Sequence, residues 1–336
     1  MNILLTSVGR RSYLVEYFKE ALKNKGKVFV ANSTAQSPAF QYADGYIVTP
    51  LIYDENYISF LEKYCLDNDI RIIISLFDID LLMLARHKKE LENLGIQVIV
   101  SNEDVIEICN DKWKTFLFLQ KNNFNVPKTY IELEEVYKEL KNKSINFPLI
   151  LKPRWGMGSI GIYEAENLQE LEIFYKKIEK QIQKTYLKYE SAQTIGRNIL
   201  IQEKLNGQEY GLDVINDLNG NYVTTFVKKK IAMRSGETDC AETIDSEELR
   251  QYGEKLSKSL KHIANLDVDL FLVKDKPYIL EMNARFGGGY PFSHLAGANL
   301  PKAIIEWAKR KEVNKEEILN INYGILGQKD IKIVKL

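Results

Sequence analysis

Cysteine is scarce in this 336-residue chain: Cys65, Cys109 and Cys240 stand far apart and form no metal or redox motif. That pattern implies a reducing, cytoplasmic setting. Excess charge is lacking too. Lys plus Arg and Asp plus Glu each number 46, so bulk charge gives no reason to expect nucleic acid, and any basic patch must be local. No apolar run reaches the roughly 18 residues of a membrane span. The opening MNILLTSVGRR is too briefly apolar for a signal peptide and reads as a first strand. Internal repeats, low-complexity tracts and flexible linkers are also missing. Two nucleotide fingerprints are absent. Gly9 is followed by Arg10, Arg11 and Ser12 without the other glycines of GxGxxG, which undercuts a nicotinamide cofactor. No Gly-Lys-Ser/Thr follows the glycine-rich stretch 156–161, which excludes a Walker loop.

What is present is a soluble, globular composition, 45% hydrophobic and 27% charged, in a chain long enough for two or three compact units. Residues 1 to about 100 alternate strand and helix signals. Strands are expected at Asn2–Thr6, Lys27–Asn32, Ile70–Leu76 and Gln97–Val100, and helices at Ser12–Asn24, Asp54–Asn68 and Ile79–Leu94. This alternation predicts a parallel, doubly wound sheet, whose ligands sit beyond the carboxyl ends of the strands. The groups expected there include Arg10 and Arg11 after the first strand, and Asp78 and Asp80 after the Ile70–Leu76 strand. An arginine pair at a helix start suits a carboxylate or phosphate, but it reads equally as solvated surface charge.

Further on, a polar break at Asn110-Asp111 precedes a helix carrying Lys112. The strand Phe147–Lys152 ends in Lys152 and runs into a loop holding Gly156, Gly158, Ser159 and Gly161. Such a loop lets backbone N–H groups approach phosphate oxygens, although an ordinary hairpin turn also explains it. Asn167–Glu190 reads as a long charged helical region. In Leu200–Val214, the strand end Glu203-Lys204-Leu205 offers a peptide edge to a flat heterocycle and Glu209 offers a carboxylate to vicinal hydroxyls; a plain hairpin with polar flanks is the other reading. Strand Thr224–Ile231 puts Lys228 and Lys230 on one side, with Arg234 following. A helix over Ser246–Asn265, another over Pro301–Lys311 and a last strand at Ile331–Leu336 complete the expectations.

The densest signal is Val268–Gly289, two strands (Val268–Val273 and Pro277–Met282) joined by a Lys-Asp-Lys-Pro turn. Strand alternation gives Glu281 and Asn283 one face, and hairpin pairing brings Asp269 near them. Two carboxylates and an amide oxygen converging on a sheet face form a hard-cation site suited to Mg2+, which keeps waters and takes other ligands from phosphates. Arg285, on the same parity, adds a fixed positive fork for a phosphoryl group.

Taken together, these motifs resemble the ATP-grasp superfamily of carboxylate–amine ligases, which includes the carbamoyl-phosphate synthetase large subunit, biotin carboxylase and D-alanine–D-alanine ligase. The resemblance covers nearly the whole chain, and its most specific part is the twelve-residue step from Asp269 to Glu281 with the E-x-N-x-R ending. It implies an α/β chain with a Rossmann-like pre-ATP-grasp domain (1–105) and a two-subdomain α+β ATP-grasp fold. The N-terminal subdomain (106–200) would carry the glycine lid, and the C-terminal subdomain (201–336) the adenine hinge and metal site. It assigns Lys112, Lys152 and the Gly156–Gly161 lid to ATP phosphates, Glu203, Lys204 and Leu205 to adenine, and Glu209 to ribose. Asp269, Glu281 and Asn283 would hold two Mg2+, with Mn2+ as an alternative, and Arg285 would sit on the transferred phosphoryl group. Lys230 and Arg234 join Arg285 on the reacting side, while Arg10, Arg11, Asp78 and Asp80 would face the substrate. Asp269 stands where biotin carboxylase has a longer Glu, which bears on distances.

The implied chemistry is ATP-dependent activation of a small carboxylic acid as an acyl phosphate, then attack by an amine, amino acid or ammonia. Asp78, Asp80 and His294 are the candidate bases, His294 fitting an ordinary helix residue better. No glutaminase feature is present, so ammonia would be free or supplied by a partner. A small-molecule kinase or carbamoyl-phosphate-like phosphotransferase, or a non-catalytic nucleotide-binding module, are the alternatives. The implied partners are small carboxylates and amines, with neither nucleic acid nor membrane, in a chain whose relatives are often homodimers.

Overall fold

A computed structural model describes residues 1–156, 158, 160–192, 194 and 196–336. The first sheet is parallel, in the order β3-β2-β1-β4-β5: β1 (Asn2–Thr6), β2 (Val28–Asn32), β3 (Gly45–Val48), β4 (Ile70–Ser75) and β5 (Gln97–Val98). The central strands β1 and β4 are buried along nearly their whole length, as a sheet covered on both faces requires. Edge strand β3 was not expected from the sequence. Its Tyr46 and Val48 are exposed, so it lacks an apolar run to announce it. The helix expected over Ile79–Leu94 is two helices, Asp78–Arg86 and Lys88–Asn93. The break at His87 is held by Lys88 Nζ reaching the Val100 carbonyl (2.8 Å) and by His87 Nδ1 on Glu90 (2.8 Å).

A second, four-stranded sheet follows, in the order β6-β9-β7-β8: β6 (Thr129–Tyr130), β7 (Leu149–Pro153), β8 (Tyr163–Ala165) and β9 (Ile199–Glu203). Helix Leu168–Lys184 covers it through Leu171, Ile178 and Ile182. Because β9 hydrogen-bonds into this sheet, the divide expected between residues 200 and 201 moves past Glu203.

The third sheet is antiparallel, in the order β14-β13-β10-β11-β12-β15: β10 (Gln208–Asn216), β11 (Tyr222–Arg234), β12 (Glu237–Thr243), β13 (Ala264–Val273), β14 (Lys276–Asn283) and β15 (Leu326–Gln328). Its apolar face, including Leu212, Val214, Leu266, Val268 and Met282, shares one core with helix Glu247–Leu260 and with Leu4 and Ile73 of the first sheet. That shared core fixes the polar face in place. The helix expected to reach Asn265 stops at Leu260, where Lys261 turns left-handed (φ 56°) and hands the chain to β13. The β13–β14 turn is the Lys274-Asp275 pair, both at positive φ, so Lys276 and Pro277 belong to the strand. No strand forms at Ile331–Leu336, where Ile331 and Ile333 are exposed; the last strand is β15, paired with β12.

Candidate active site

Strand parity builds the site. Asp269 pairs with Glu281 across β13–β14, Asp267 pairs with Asn283, Asp213 of β10 pairs with Asp267, and Gly211 faces Lys228 of β11. One face of the sheet therefore carries Glu209, Asp213, Lys228, Lys230, Asp267, Asp269, Glu281 and Asn283. Lys230 Nζ donates to Glu209 (2.7 Å) and Asp269 (2.5 Å). Deeper in, Lys228 Nζ donates to Asp213 and to the Ser293 hydroxyl (3.2 Å), and all three groups are sealed from solvent.

Arg285 is clamped by two acids. Nη1 meets Asp267 at 3.1 Å, and Nε and Nη2 meet the two Asp78 oxygens at 3.1 and 3.3 Å. Burial works against its charge, but Asp78 and Asp267 outweigh it and hold the guanidinium protonated. Only glycine fits at position 287, where a Cβ would stand 2.0 Å from the Asp267 carboxylate.

Asp111 positions Lys112. Its carboxylate caps helix Lys112–Lys121 (3.0 Å from Trp113 N) and takes a two-pronged grip from Arg154 (2.7 and 2.6 Å). Lys112 then reaches the Gly156 carbonyl and lies 3.9 Å from Glu281. The φ of 104° at Gly156, with Leu187 packed 2.8 Å from where a Cβ would be, makes glycine obligatory there. Lys152, buried, donates to Gln202 (3.0 Å). Burial, reinforced by Lys112 and opposed by Glu281, pulls its pKa down to about 8.

Lys112 and Lys152, with Glu209, Asp269 and Glu281 of the sheet face, border a cleft of about 420 Å³ between the second and third sheets, a volume suited to a small ligand. Ile150, Ile160, Ile162, Met233, Phe271 and Leu280 give it apolar walls. Lys112, Lys152, Gly156, Gly158, Glu203, Lys204, Leu205, Glu209, Asp269 and Glu281 supply its polar edges, bringing together most of the residues expected to hold nucleotide and metal. Gly161 (φ 72°) closes the described loop against Pro153, and Ser159 lies outside the described residues.

The donor set is oxygen-rich and carries excess negative charge. Burial, with Asp267 and Glu281 adding to it against Lys230, pushes the Asp269 carboxyl up to about 6. Burial also acts on Glu281, yet Lys112, Lys152 and Arg285 keep it below the ordinary value. Asp269, Glu281 and Asn283 fit a hard divalent ion. Among the described residues no group of three or more His, Cys, Asp or Glu forms a metal cluster, so such an ion would need phosphate and water to complete its shell.

Several expected roles change. Asp80 is fully enclosed, taking hydrogen bonds from Thr6, Ser7, Ser75 (2.7 Å) and Tyr57 (2.7 Å), so it ties β1 to β4 instead of meeting a substrate. Glu203 lines the cleft together with Lys204 and Leu205, but its carboxylate accepts from the Lys128 amide (2.7 Å). Lys204 pairs outward with Glu164 (2.6 Å). Arg234 is drawn to Asp239 (2.9 Å) and does not border the cleft, because its neighbour Met233 takes the inward parity. His294 stacks on Tyr17 with ring centres 3.6 Å apart and does not border the cleft, unlike a base for the reaction. Arg10 is exposed and Arg11 half-buried. With Lys329 they hold Glu237 below its ordinary value against its burial. Asp267 was missed from sequence, although its spacing of two from Asp269 carried the signal. Trp155 and Phe271 were missed because cleft walls have no pattern of their own.

A family model described as ATP-grasp domain matches residues 109–289, just over half the chain, and one described as PylC-like, N-terminal domain matches residues 3–99. A carbamoyl phosphate synthase large chain from Thermoanaerobacter sp. is 24% identical over 251 residues, 72% of this chain and 22% of that protein. The chain thus spans about a fifth of the length of the synthase chains it matches. The alpha-aminoadipate–LysW ligase LysX of Saccharolobus solfataricus is 25% identical over 239 residues, covering 68% of this chain and 80% of that one. Among solved structures, the biotin carboxylase domain dimer of Hydrogenobacter thermophilus 2-oxoglutarate carboxylase, in complex with MgADP, ADP and bicarbonate, superposes with a TM-score of 0.73 at 16% identity, over 96% of this chain and 72% of that one.

Proposed function

The chain belongs to the ATP-grasp family, whose enzymes use ATP and Mg2+, and on that premise we propose that it is an ATP-dependent carboxylate–amine ligase. It would activate a small carboxylic acid as an acyl phosphate and join it to an amine, amino acid or ammonia, releasing ADP and phosphate. The observation that carries this reading is one sheet face, with Glu209, Lys230, Asp269 and Glu281 opening on an apolar-walled cleft that Lys112 and Lys152 border. The relative named as a ligase, matched over most of its length, supports the same class.

In this reading Lys112 and Lys152 hold the phosphates, the 156–161 loop covers them, the Lys204-Leu205 edge receives the base and Glu209 the ribose. Asp269, Glu281 and Asn283 would hold two Mg2+, or Mn2+, whose chemistry is to neutralise and orient phosphate oxygens. Arg285, buried and held by Asp78 and Asp267, would act on the transferred phosphoryl group through its fixed charge, which already reaches Glu281. A carboxylate oxygen of the acid takes the terminal phosphoryl group as its bond to ADP breaks. The amine nitrogen then bonds to the acyl carbon, the carbon–oxygen bond to phosphate breaks with its electron pair leaving on phosphate, and the nitrogen sheds a proton. Closure of the lid keeps water from the acyl phosphate. Arg10 and Arg11, beside Glu237 in the loop after β1, would meet the carboxylate of the acid, and a homodimer is the assembly we infer.

The decisive experiment is an ADP-release screen crossing carboxylic acids with amino acids and ammonia. The expected result is ADP formation that needs both partners. ADP release indifferent to amine, with a phosphorylated acid accumulating, would make the protein a kinase. ATP binding without turnover on any acid would make it a nucleotide-binding module.

A further inference from the structure

A second, smaller cavity of about 30 Å³ adjoins the large cleft. Lys112, Trp155, Gly156 and Glu281 wall both spaces, so an occupant of the small one meets the end of the cleft that carries the metal acids. Its volume admits one or two water-sized groups. Three carboxylates, Asp78, Glu190 and Glu281, line it against one cation, Lys112. Phe77, Trp155 and Tyr186 add aromatic surface, Phe77 meeting Tyr186 at 5.9 Å in an edge contact.

The charge count decides what fits. Arg285 offsets Asp78 and Lys112 lies beside Glu281, so the charge left over is that of Glu190, which a carboxylate here would face. An ammonium head would find acceptor oxygens instead. The three acids are not equivalent. Asp78 is already occupied by Arg285, and Glu281 lies beside Lys112. Among the described residues Glu190 accepts only a neutral hydroxyl, from Tyr53 at 2.9 Å through Oε1, and a carboxylate has further lone pairs to offer.

We propose that this cavity seats the amine partner of the ligase reaction, taking ammonia or a primary ammonium head with Glu190 as its anchor; the assignment rests on the ligase reading above. Glu190 rides on the short helix Leu187–Ser191, whereas Phe77 and Asp78 sit beyond β4 of the first sheet. The seat is therefore complete only when these two parts of the chain are in contact, as they are through Tyr53, whose ring lies 4.4 Å from that of Tyr189.

The test uses two probes of similar size and opposite charge, methylammonium and formate, titrated into the full chain with Mg2+ and ADP at constant ionic strength. The readout is Trp155 fluorescence, with Trp155→Phe as the blank. The expected result is a saturable change with methylammonium whose apparent Kd rises at least about 10-fold in Glu190→Gln, a charge-assisted hydrogen bond's worth. Tyr53→Phe, which frees Glu190 from its hydroxyl partner without removing the carboxylate, keeps the methylammonium response. Saturation by formate instead, no response to methylammonium, or equal affinity in wild type and Glu190→Gln overturns the proposal. The ADP-release screen is judged separately. Methylammonium binding here without ADP release on any acid sinks the ligase reading alone, and amine-dependent ADP release with the same amine KM in Glu190→Gln sinks the seat alone.

Discussion

Lys228 and Lys230 stand two residues apart on one strand and point to the same face of one sheet, and each meets a carboxylate. The inner region around Lys228 is closed: Asp213, Ser293 and Asn265 surround it, all buried, and Asn265 also donates to the Arg285 carbonyl (3.1 Å). The outer region around Lys230 is shared among Glu209, Asp269 and the cleft. Sealing one half makes it a fixed platform for the loop that carries Arg285. Leaving the other half beside the cleft would keep its charges available to exchange lysine for a cation and phosphate. On the proposed function, similar side chains would serve stability in one place and chemistry in the other, and what differs is access to the cleft.

The largest effect that would break this comparison is on stability. Lys228→Met leaves Asp213 as an uncompensated buried charge, a loss of about 3–5 kcal/mol. The drop should appear as a lower urea midpoint. Lys230→Met, on the open side, should cost far less stability and act mainly on turnover. Equal destabilisation by the two would erase the distinction between the regions. Next comes Glu281→Gln in the outer region, which removes a metal oxygen's charge while keeping its shape. Turnover should fall by at least about 10²-fold while the urea midpoint holds. Wild-type turnover in this variant at limiting Mg2+ would remove Glu281 from the metal site.

Against the third sheet lies another sealed titratable group, His262. Its Nε2 donates to the Val214 carbonyl (3.0 Å), Nδ1 has no partner among the described residues, and burial lowers its pKa from 6.5 to about 4. It folds neutral, so its contribution is complete above pH 6.5 and is lost as pH falls towards 4, because the unfolded chain takes up the proton first. By pH 5 that amounts to about 2 kcal/mol. Melting temperatures measured from pH 7 to 5 should slope less in His262→Gln than in the wild type; parallel slopes would assign the acid sensitivity elsewhere.

Much of this organisation was legible in the chain. The first sheet announced itself through continuous apolar strands such as IRIIIS, and the hairpin through the parity of Asp269, Glu281, Asn283 and Arg285. Legibility failed where a residue's role depends on what lies opposite. Asp78 and Asp80 look alike in sequence, both at the end of a buried strand. The helix beginning at Asp78 turns one toward Arg285 and the other into four hydroxyls contributed by three separate segments. Arg234 looked catalytic by order along the chain, but Met233 takes the inward parity. Glu190 gave no signal, because its neighbours Tyr53 and Phe77 lie more than a hundred residues away.

The smallest expected effect sharpens the comparison on the outer side. Lys152 is buried beside Lys112 and, among the described residues, has only the neutral Gln202 oxygen as its hydrogen-bond acceptor; its pKa of about 8 reflects that poor solvation of charge. A phosphate placed against it would favour the protonated form, so nucleotide binding should raise this pKa and draw in a proton above pH 8. Calorimetry in buffers of different ionisation enthalpy should detect that uptake. ATP affinity should weaken as pH climbs past 8 in the wild type. Lys152→Ala should weaken ATP by about 10-fold, one charge-assisted contact, flatten the pH dependence, and leave acceptor binding unchanged. A variant that binds ATP as tightly as the wild type, with the same proton uptake, would mean that the phosphates lie elsewhere in the cleft and that the lysine's burial serves packing, as it does for Lys228.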